Sequence, residues 1–398
     1  MNEPYPLPTG ARALLIAMAT PTPQGPIGIP VLLWGRPGVG KSSFIEGLAQ
    51  PDLQVTTLIA SIHDPTDFSG LPILEEGTVR YAVPNWVTEF RDDSDGILFL
   101  DELSTAPPSV QAALLRVVFE RRVGFARLPD SVRIVAAANP PDLMIGGWDL
   151  SPPLRNRFVH LQWSIPAELY VRSLSQGWTA AEMPRIDRGR HAEKLAEWKS
   201  KVAGFLRLHP DALYGDAEED AYGFASPRTW DYAAALLASC EVLGLSGDEA
   251  AAEHQRTMLQ LIAGCLGEGT AIPFLEFINR MRLPPAEDVL NETETIDTNS
   301  LDDSELYVLF HNFQRVVLGE LTGPALLPHS IVLLRLVEEV FAGGRRDVIF
   351  AALRALARGG WIAAIAAGND PVQREEALHR IGALFQDETF SEFIDVLS

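Results

Sequence analysis

Gly35-Arg36-Pro37-Gly38-Val39-Gly40-Lys41-Ser42 matches the pattern G-x-x-x-x-G-K-[ST]. It follows the unbroken apolar run Ile29-Pro30-Val31-Leu32-Leu33-Trp34 and precedes a helical stretch. A run of that kind, bounded by glycines, reads as a strand buried on both faces of a parallel sheet. Glycines let the backbone curl until successive N–H groups point at phosphate oxygens. Lys41 is then placed to reach the β- and γ-phosphates of ATP, and the Ser42 hydroxyl to ligate Mg2+. Arg36, Pro37, Val39 and Ser43 complete the phosphate-binding segment. A dinucleotide fingerprint fits less well, because Ser43 stands where its third glycine belongs.

Three more strand candidates surround this one: Val55 to Ile62, Gly96 to Leu100 and Val132 to Ala138. Between them, Pro107 to Arg122 is helical, with prolines in its first turn and Val110, Leu114, Leu115 and Val118 recurring on one face. Strand, helix, strand at this spacing predicts a parallel α/β sheet flanked by helices. Two insertions read as hairpins, Ile73 to Val83 turning at Glu76-Gly77, and Val123 to Val132 turning around Leu128-Pro129-Asp130. After about residue 165 the strand signal fades into helices. Glu287 to Glu305 carries eight acidic residues and no basic one, which reads as a solvated linker. The expected division is an α/β nucleotide-binding core over 1–165, an α-helical lid over 166–285, an acidic linker over 286–305 and a helical domain over 306–398.

Ile97-Leu98-Phe99-Leu100-Asp101-Glu102 is an apolar strand ending in two carboxylates. Some sixty residues after a phosphate loop, this reads as the Walker B arrangement. Asp101 is suited to hold the hydration shell of the magnesium, and Glu102 to orient and polarise an attacking water.

The formal charge of −21 and a pI near 4.8 argue against duplex DNA or an anionic membrane, since both would repel this surface. A protein client fits better. Cys240 and Cys265 belong to no C-x-x-C pair, so neither a disulfide framework nor a zinc site is read, and a reducing, cytoplasmic setting is expected. The apolar stretches Ala13 to Ala19 and Trp361 to Ala367 are too short to span a bilayer.

Along the chain stand, in order, the phosphate loop, Asp67-Phe68-Ser69-Gly70, Leu98-Phe99-Leu100-Asp101-Glu102-Leu103, Ala138-Asn139-Pro140 and Leu150-Ser151-Pro152-Pro153-Leu154-Arg155-Asn156-Arg157-Phe158. This ordered set resembles the MoxR branch of the AAA+ ATPases, which is related to the magnesium-chelatase ATPase subunit and to midasin-type modules. The resemblance covers about residues 25–235. It implies an AAA+ P-loop fold and a homo-oligomeric, hexameric ring. It also implies ATP-driven remodelling of a protein client, often one with a von Willebrand factor A domain, or insertion of a cofactor or metal. In that pattern Asn139 is sensor 1, and either Arg157 or Arg155 is the finger that reaches a neighbouring subunit's γ-phosphate. Arg228, in Ser226-Pro227-Arg228, is sensor 2, touching the phosphates from the lid. The hairpin over Ile73 to Val83 becomes the candidate client-contacting element, while Phe68 and Trp86 are either pore aromatics or core residues. The residue that relays ligand state to Glu102 is not evident; Ser61 and His63 are the candidates. Two other readings remain, a monomeric P-loop switch or kinase and a nucleic-acid translocase, the latter in conflict with the acidic charge.

Overall fold

The computed structural model describes residues 7–22, 25–90, 95–143, 147–178, 180–216, 222–245 and 252–385. They divide into two compact units: Met1–Trp198 with Asp211–Leu275, and Lys199–Pro210 with Glu276–Ser398.

The first unit opens with helix α1 (Ala11–Ala19) and strand β1 (Val31–Trp34), then α2 (Lys41–Glu46), β2 (Leu53–Ile59) and α3 (Thr66–Ser69). A hairpin of β3 (Leu71–Glu75) and β4 (Thr78–Ala82) leads through α4 (Asn85–Glu89) to β5 (Asp95–Asp101) and α5 (Pro108–Glu120). A second, smaller hairpin, β6 (Arg122–Val123) and β7 (Ala126–Arg127), precedes β8 (Val132–Ala138), α6 (Pro152–Arg155) and β9 (Val159–Gln162). Helices follow: α7 (Ala167–Gln176), α8 (Arg188–Leu208), α9 (Pro227–Val242), α10 (Ala252–Leu266) and α11 (Glu268–Arg280).

Five strands form one sheet in the order β2-β5-β8-β1-β9, and every pairing is parallel. All four residues of β1 and all seven of β8 are buried, as strands covered by helices on both faces must be. Arg133 is the one charge in β8; it donates to the carbonyl of Met18 at 3.0 Å and pairs with Asp95 at 3.2 Å, which offsets the cost of burying it. Because the strands run parallel, the chain leaves β1 at Gly35, β5 at Glu102 and β8 at Asn139 along one edge of the sheet. In open α/β sheets that carboxyl edge is where ligands bind.

β9 went unread in the sequence. Val159-His160-Leu161-Gln162 is four residues long and half polar, yet it pairs with β1 through its whole length. The second hairpin also differs from expectation, turning at Gly124-Phe125. Leu128 is buried and the Arg121 guanidinium donates to the carbonyls of Pro129 and Val132, so Leu128-Pro129-Asp130 is anchored rather than a free turn.

The second unit is helical. It comprises α12 (Ala286–Leu290), α13 (Asp303–Gly319), α14 (Leu326–Ala342), α15 (Arg346–Arg358), α16 (Trp361–Ala366) and α17 (Pro371–Phe385). Phe310 and Phe313 of α13, Val337 and Val340 of α14, Leu353 of α15 and Trp361 of α16 share one core. Composition alone read 286–305 as a solvated linker, but the stretch is part of this fold. Ala286, Val289 and Leu290 lie in the core, and Ile296 and Leu301 pack against it. Its carboxylates have structural work as well. Asp302 caps α13 through the N–H groups of Ser304 and Glu305 while Glu305 reaches back to the Asp302 N–H, a capping box worth about 1 kcal/mol. The division between units runs inside α8 and α11, so residues 199–210 and 276–285, read from sequence as lid, cluster with the C-terminal helices. Among the described residues, no helix is long and apolar enough to cross a membrane.

Candidate nucleotide site

The phosphate loop needs two residues in the left-handed region, and glycine supplies both: Gly38 at φ 77° and Gly40 at φ 74°. The Trp163 indole donates to the Val39 carbonyl at 3.1 Å and fixes the loop from β9's side. Lys41 is buried and turned back, donating to the carbonyls of Gly35 at 2.5 Å and Arg36 at 3.1 Å. Burial lowers its affinity for the proton, and the nearby Asp101 carboxylate works against that. A lysine held on its own loop by two carbonyls is a cation that triphosphate oxygens can take over without moving the backbone.

Ser42 Oγ donates to Asp101 Oδ2 at 2.6 Å, joining the residues singled out as metal ligands across 59 positions of sequence. A hydroxyl and one carboxylate are hard oxygen donors. They suit Mg2+, which keeps waters and phosphate oxygens for its remaining positions. Glu102 follows directly and is exposed, with φ 56° and ψ 36°, a conformation a non-glycine residue seldom holds. The turn is supported by its neighbours: the Glu102 N–H donates to Asp101 Oδ1 at 2.8 Å and the Thr105 hydroxyl to the Glu102 carbonyl at 2.8 Å. Of the two candidates for its relay, Ser61 donates to Glu102 Oε2 at 2.7 Å, whereas His63 pairs with Asp67 at 2.9 Å. Asn139 directly follows β8, and its N–H donates to the Ser104 hydroxyl at 3.2 Å, tying it to the segment after Glu102.

The three arginines gather around α6 and the start of α9. Arg157 and Arg228 both lie over the ring of Phe119, at 4.6 Å and 4.9 Å from its centroid, while Arg155 lies over Phe224 at 5.6 Å. Arg157 also donates to the Pro153 carbonyl. Burial, and then the neighbouring positive charge of Arg228, hold the Arg157 guanidinium below its ordinary pKa. Asn156 joins the two segments, its Oδ1 accepting from the Ser226 hydroxyl at 2.9 Å and from Arg228 at 3.2 Å.

Residues 30–158 match the AAA domain of the dynein-related subfamily. Over 135 residues the chain is 32% identical to chaperone MoxR1 of Mycobacterium tuberculosis, covering 32% of this chain and 34% of that one. Residues 30–158 form an AAA+ domain. The phenol regulator MopR of Acinetobacter guillouiae is 37% identical over 120 residues, covering 28% of this chain and 21% of the regulator. The Nif-specific regulatory protein of Rhizobium meliloti is 31% identical over 138 residues, covering 32% and 26%. The chain therefore spans only a fifth to a third of the length of these three relatives.

Within the AAA+ domain the two hairpins meet, with the rings of Tyr81 and Phe125 at 5.7 Å. Leu71, Leu74, Val79 and Phe125 stand exposed there. Phe68 and Trp86 do not join them. Both are buried in the core, 6.3 Å apart, with the Trp86 indole donating to the Asp67 carbonyl.

Sequence reading missed one side of the site. A cavity of about 960 Å³ beside Gly38, Gly40 and Ser43 is lined by Leu7, Pro8, Trp163, Ile165, Leu169 and Arg172, among others. Its walls come from the chain's first described residues and from the segment after β9. Nothing in their spacing marks them, since isolated apolar residues look the same whether they line a cavity or a core.

Proposed function

We propose that the chain is an ATPase that binds ATP with Mg2+ and works as a homo-oligomeric ring, a hexamer, to remodel or activate a protein client. The observation that carries this reading is the 2.6 Å hydrogen bond from Ser42 to Asp101 with Glu102 next in the chain. It supports the reading by bringing Ser42 of the glycine-rich loop onto Asp101, beside Glu102, at one edge of the sheet. In this reading the curled amides and Lys41 hold the β- and γ-phosphates, and Ser42 with Asp101 holds the ion. Bound there, the ion would neutralise charge on the phosphate oxygens. Glu102 accepts a proton from the attacking water, and Asn139 orients that water through its amide. The apolar cavity beside Gly40 receives the base.

Arg157 and Arg228 share one aromatic ring, which supports their serving one phosphate site rather than two. If Arg157 is a finger for the neighbouring subunit's nucleotide, Arg228 goes with it and does not close over its own phosphates as a lid residue would. Arg155 is turned to Phe224 instead. The helices of the first unit that follow β9, within 166–198 and 211–275, act as lid in this reading. The exposed apolar hairpins are the surface for the client, a von Willebrand factor A domain protein or an acceptor of an inserted metal or cofactor. The three relatives are named a chaperone and two regulators, which supports a protein-directed task. Two buried free cysteines support a reducing, cytoplasmic setting.

The test is calorimetric titration with ATP and Mg2+, light scattering of the Glu102→Gln variant with saturating ATP, and light scattering and phosphate release of the unaltered chain. Heat of binding and an ATP-dependent ring are expected. Indifference to ATP would sink the reading, and a strict monomer with full turnover would favour a P-loop switch. Turnover that rises only with single-stranded DNA would favour a translocase.

A further inference from the structure

The mechanism leaves one buried polar chain unused. Trp34, the last residue of β1, donates its indole N–H to Nδ1 of His160 at 2.9 Å, and the two ring planes lie within 14° of each other, edge to edge. Indole can only donate, so Nδ1 of His160 accepts, and the ring proton of the neutral imidazole sits on Nε2. Nε2 lies 2.9 Å from the carbonyl of Arg155 and donates to it. That carbonyl also takes the N–H of Phe158 at 3.1 Å. Both ring nitrogens are therefore committed, and both Trp34 and His160 are buried.

These bonds join segments with different tasks. Gly35, the first residue of the phosphate loop, follows Trp34 directly. Arg155 begins the turn Arg155-Asn156-Arg157, which carries two of the three site arginines and, through Asn156, holds Arg228. Helix α10 reaches the same point: a Cβ on Gly264 would come 2.3 Å from the His160 carbonyl, so the helix backbone lies directly on β9 there. An apolar residue at 160 would fill the volume but could not fix the direction of the Arg155 carbonyl.

We infer that His160 is a positioning residue which, held by Trp34, ties the strand feeding the phosphate loop to the Arg155–Arg157 turn and so aims the arginines that a neighbouring copy's nucleotide would meet. This rests on the shared-pocket reading above, and the experiment separates the two.

Two inactive full-length variants are mixed: Arg157→Ala, which keeps a working phosphate loop, and Lys41→Ala, which keeps its arginines. In the shared-pocket reading, turnover returns at pockets of the first served by the second. His160→Phe is then placed on the Lys41→Ala subunit or, separately, on the Arg157→Ala subunit. A loss of at least tenfold is expected in the first arrangement and of less than threefold in the second. His160→Gln, with one acceptor and one donor, should recover part of the loss. Trp34→Phe, which keeps an aromatic ring but removes the donor, repeats the asymmetry if His160→Phe does not fold. Equal losses in the two arrangements, or none in the first, overturn the inference alone. Absence of turnover in the unaltered mixture sinks the shared pocket, and this inference with it.

Discussion

Ser61 Oγ lies 2.7 Å from Glu102 Oε2 and donates to it. In the proposed mechanism the water-orienting carboxylate is therefore held by a hydroxyl from the turn that follows the neighbouring strand β2, and leaves it to act. Such a bond to an exposed carboxylate is worth about 1 kcal/mol once water competes. Ser61→Ala is expected to raise basal turnover about fivefold. Steady-state phosphate release checks it, and a fall in turnover would mean that Ser61 holds Glu102 in its working position.

Glu102→Gln and Lys41→Ala are expected to fail differently. The amide cannot take the water's proton, so Glu102→Gln should bind ATP normally and lose roughly 10²- to 10⁴-fold in turnover. Lys41→Ala removes the cation of the phosphate loop and should lose ATP affinity itself. Calorimetry beside single-turnover hydrolysis separates the two.

Phe119→Ala tests whether Arg157 and Arg228 act as a pair. Each cation–π contact at a half-exposed ring is worth about 0.5–1 kcal/mol, so losing both should reduce turnover roughly tenfold. The ring is 52% exposed, so the melting temperature should change little. A large drop in melting temperature with turnover preserved would make Phe119 a structural residue only.

His160 makes stability depend on pH. Complete burial pushes its pKa down to about 4, from the ordinary 6.5 of the unfolded chain. The folded state thus stays neutral where the unfolded state takes up a proton. The stabilisation is full above pH 6.5 and is lost as the pH falls toward 4, amounting to roughly 3 kcal/mol across that window. Denaturant unfolding of the first unit's transition between pH 7 and pH 4.5 should show this slope. His160→Gln should flatten it, and an unchanged slope would assign the acid sensitivity elsewhere.

Much of the candidate site was legible because its residues lie in short runs. The eight residues from Gly35 to Ser42 need only their own backbone to curl, and Asp101-Glu102 needs only a strand ahead of it. The apolar runs of β1, β5 and β8 likewise carry their burial on their face, because a strand covered on both sides has no polar positions to alternate. Charge misled where carboxylates had local partners. The acidic run 286–305 looked solvated, yet Asp302 and Glu305 cap a helix and Val289, Leu290 and Leu301 pack among them.

By itself, then, the sequence determined the phosphate loop, the paired carboxylates, the parallel sheet that presents them and the order of the motifs along it. Each depends on residues within a few positions of one another. Tertiary structure alone decided that Ser61 rather than His63 meets Glu102, that Phe68 and Trp86 are core, and that Arg157 and Arg228 share Phe119. It alone formed the cavity beside Gly40 and the chain from Trp34 through His160 to Arg155. Apart from the step from His160 to Arg155, these contacts join residues tens to more than a hundred positions apart. Their distances follow from strand order and helix packing, which local periodicity does not encode.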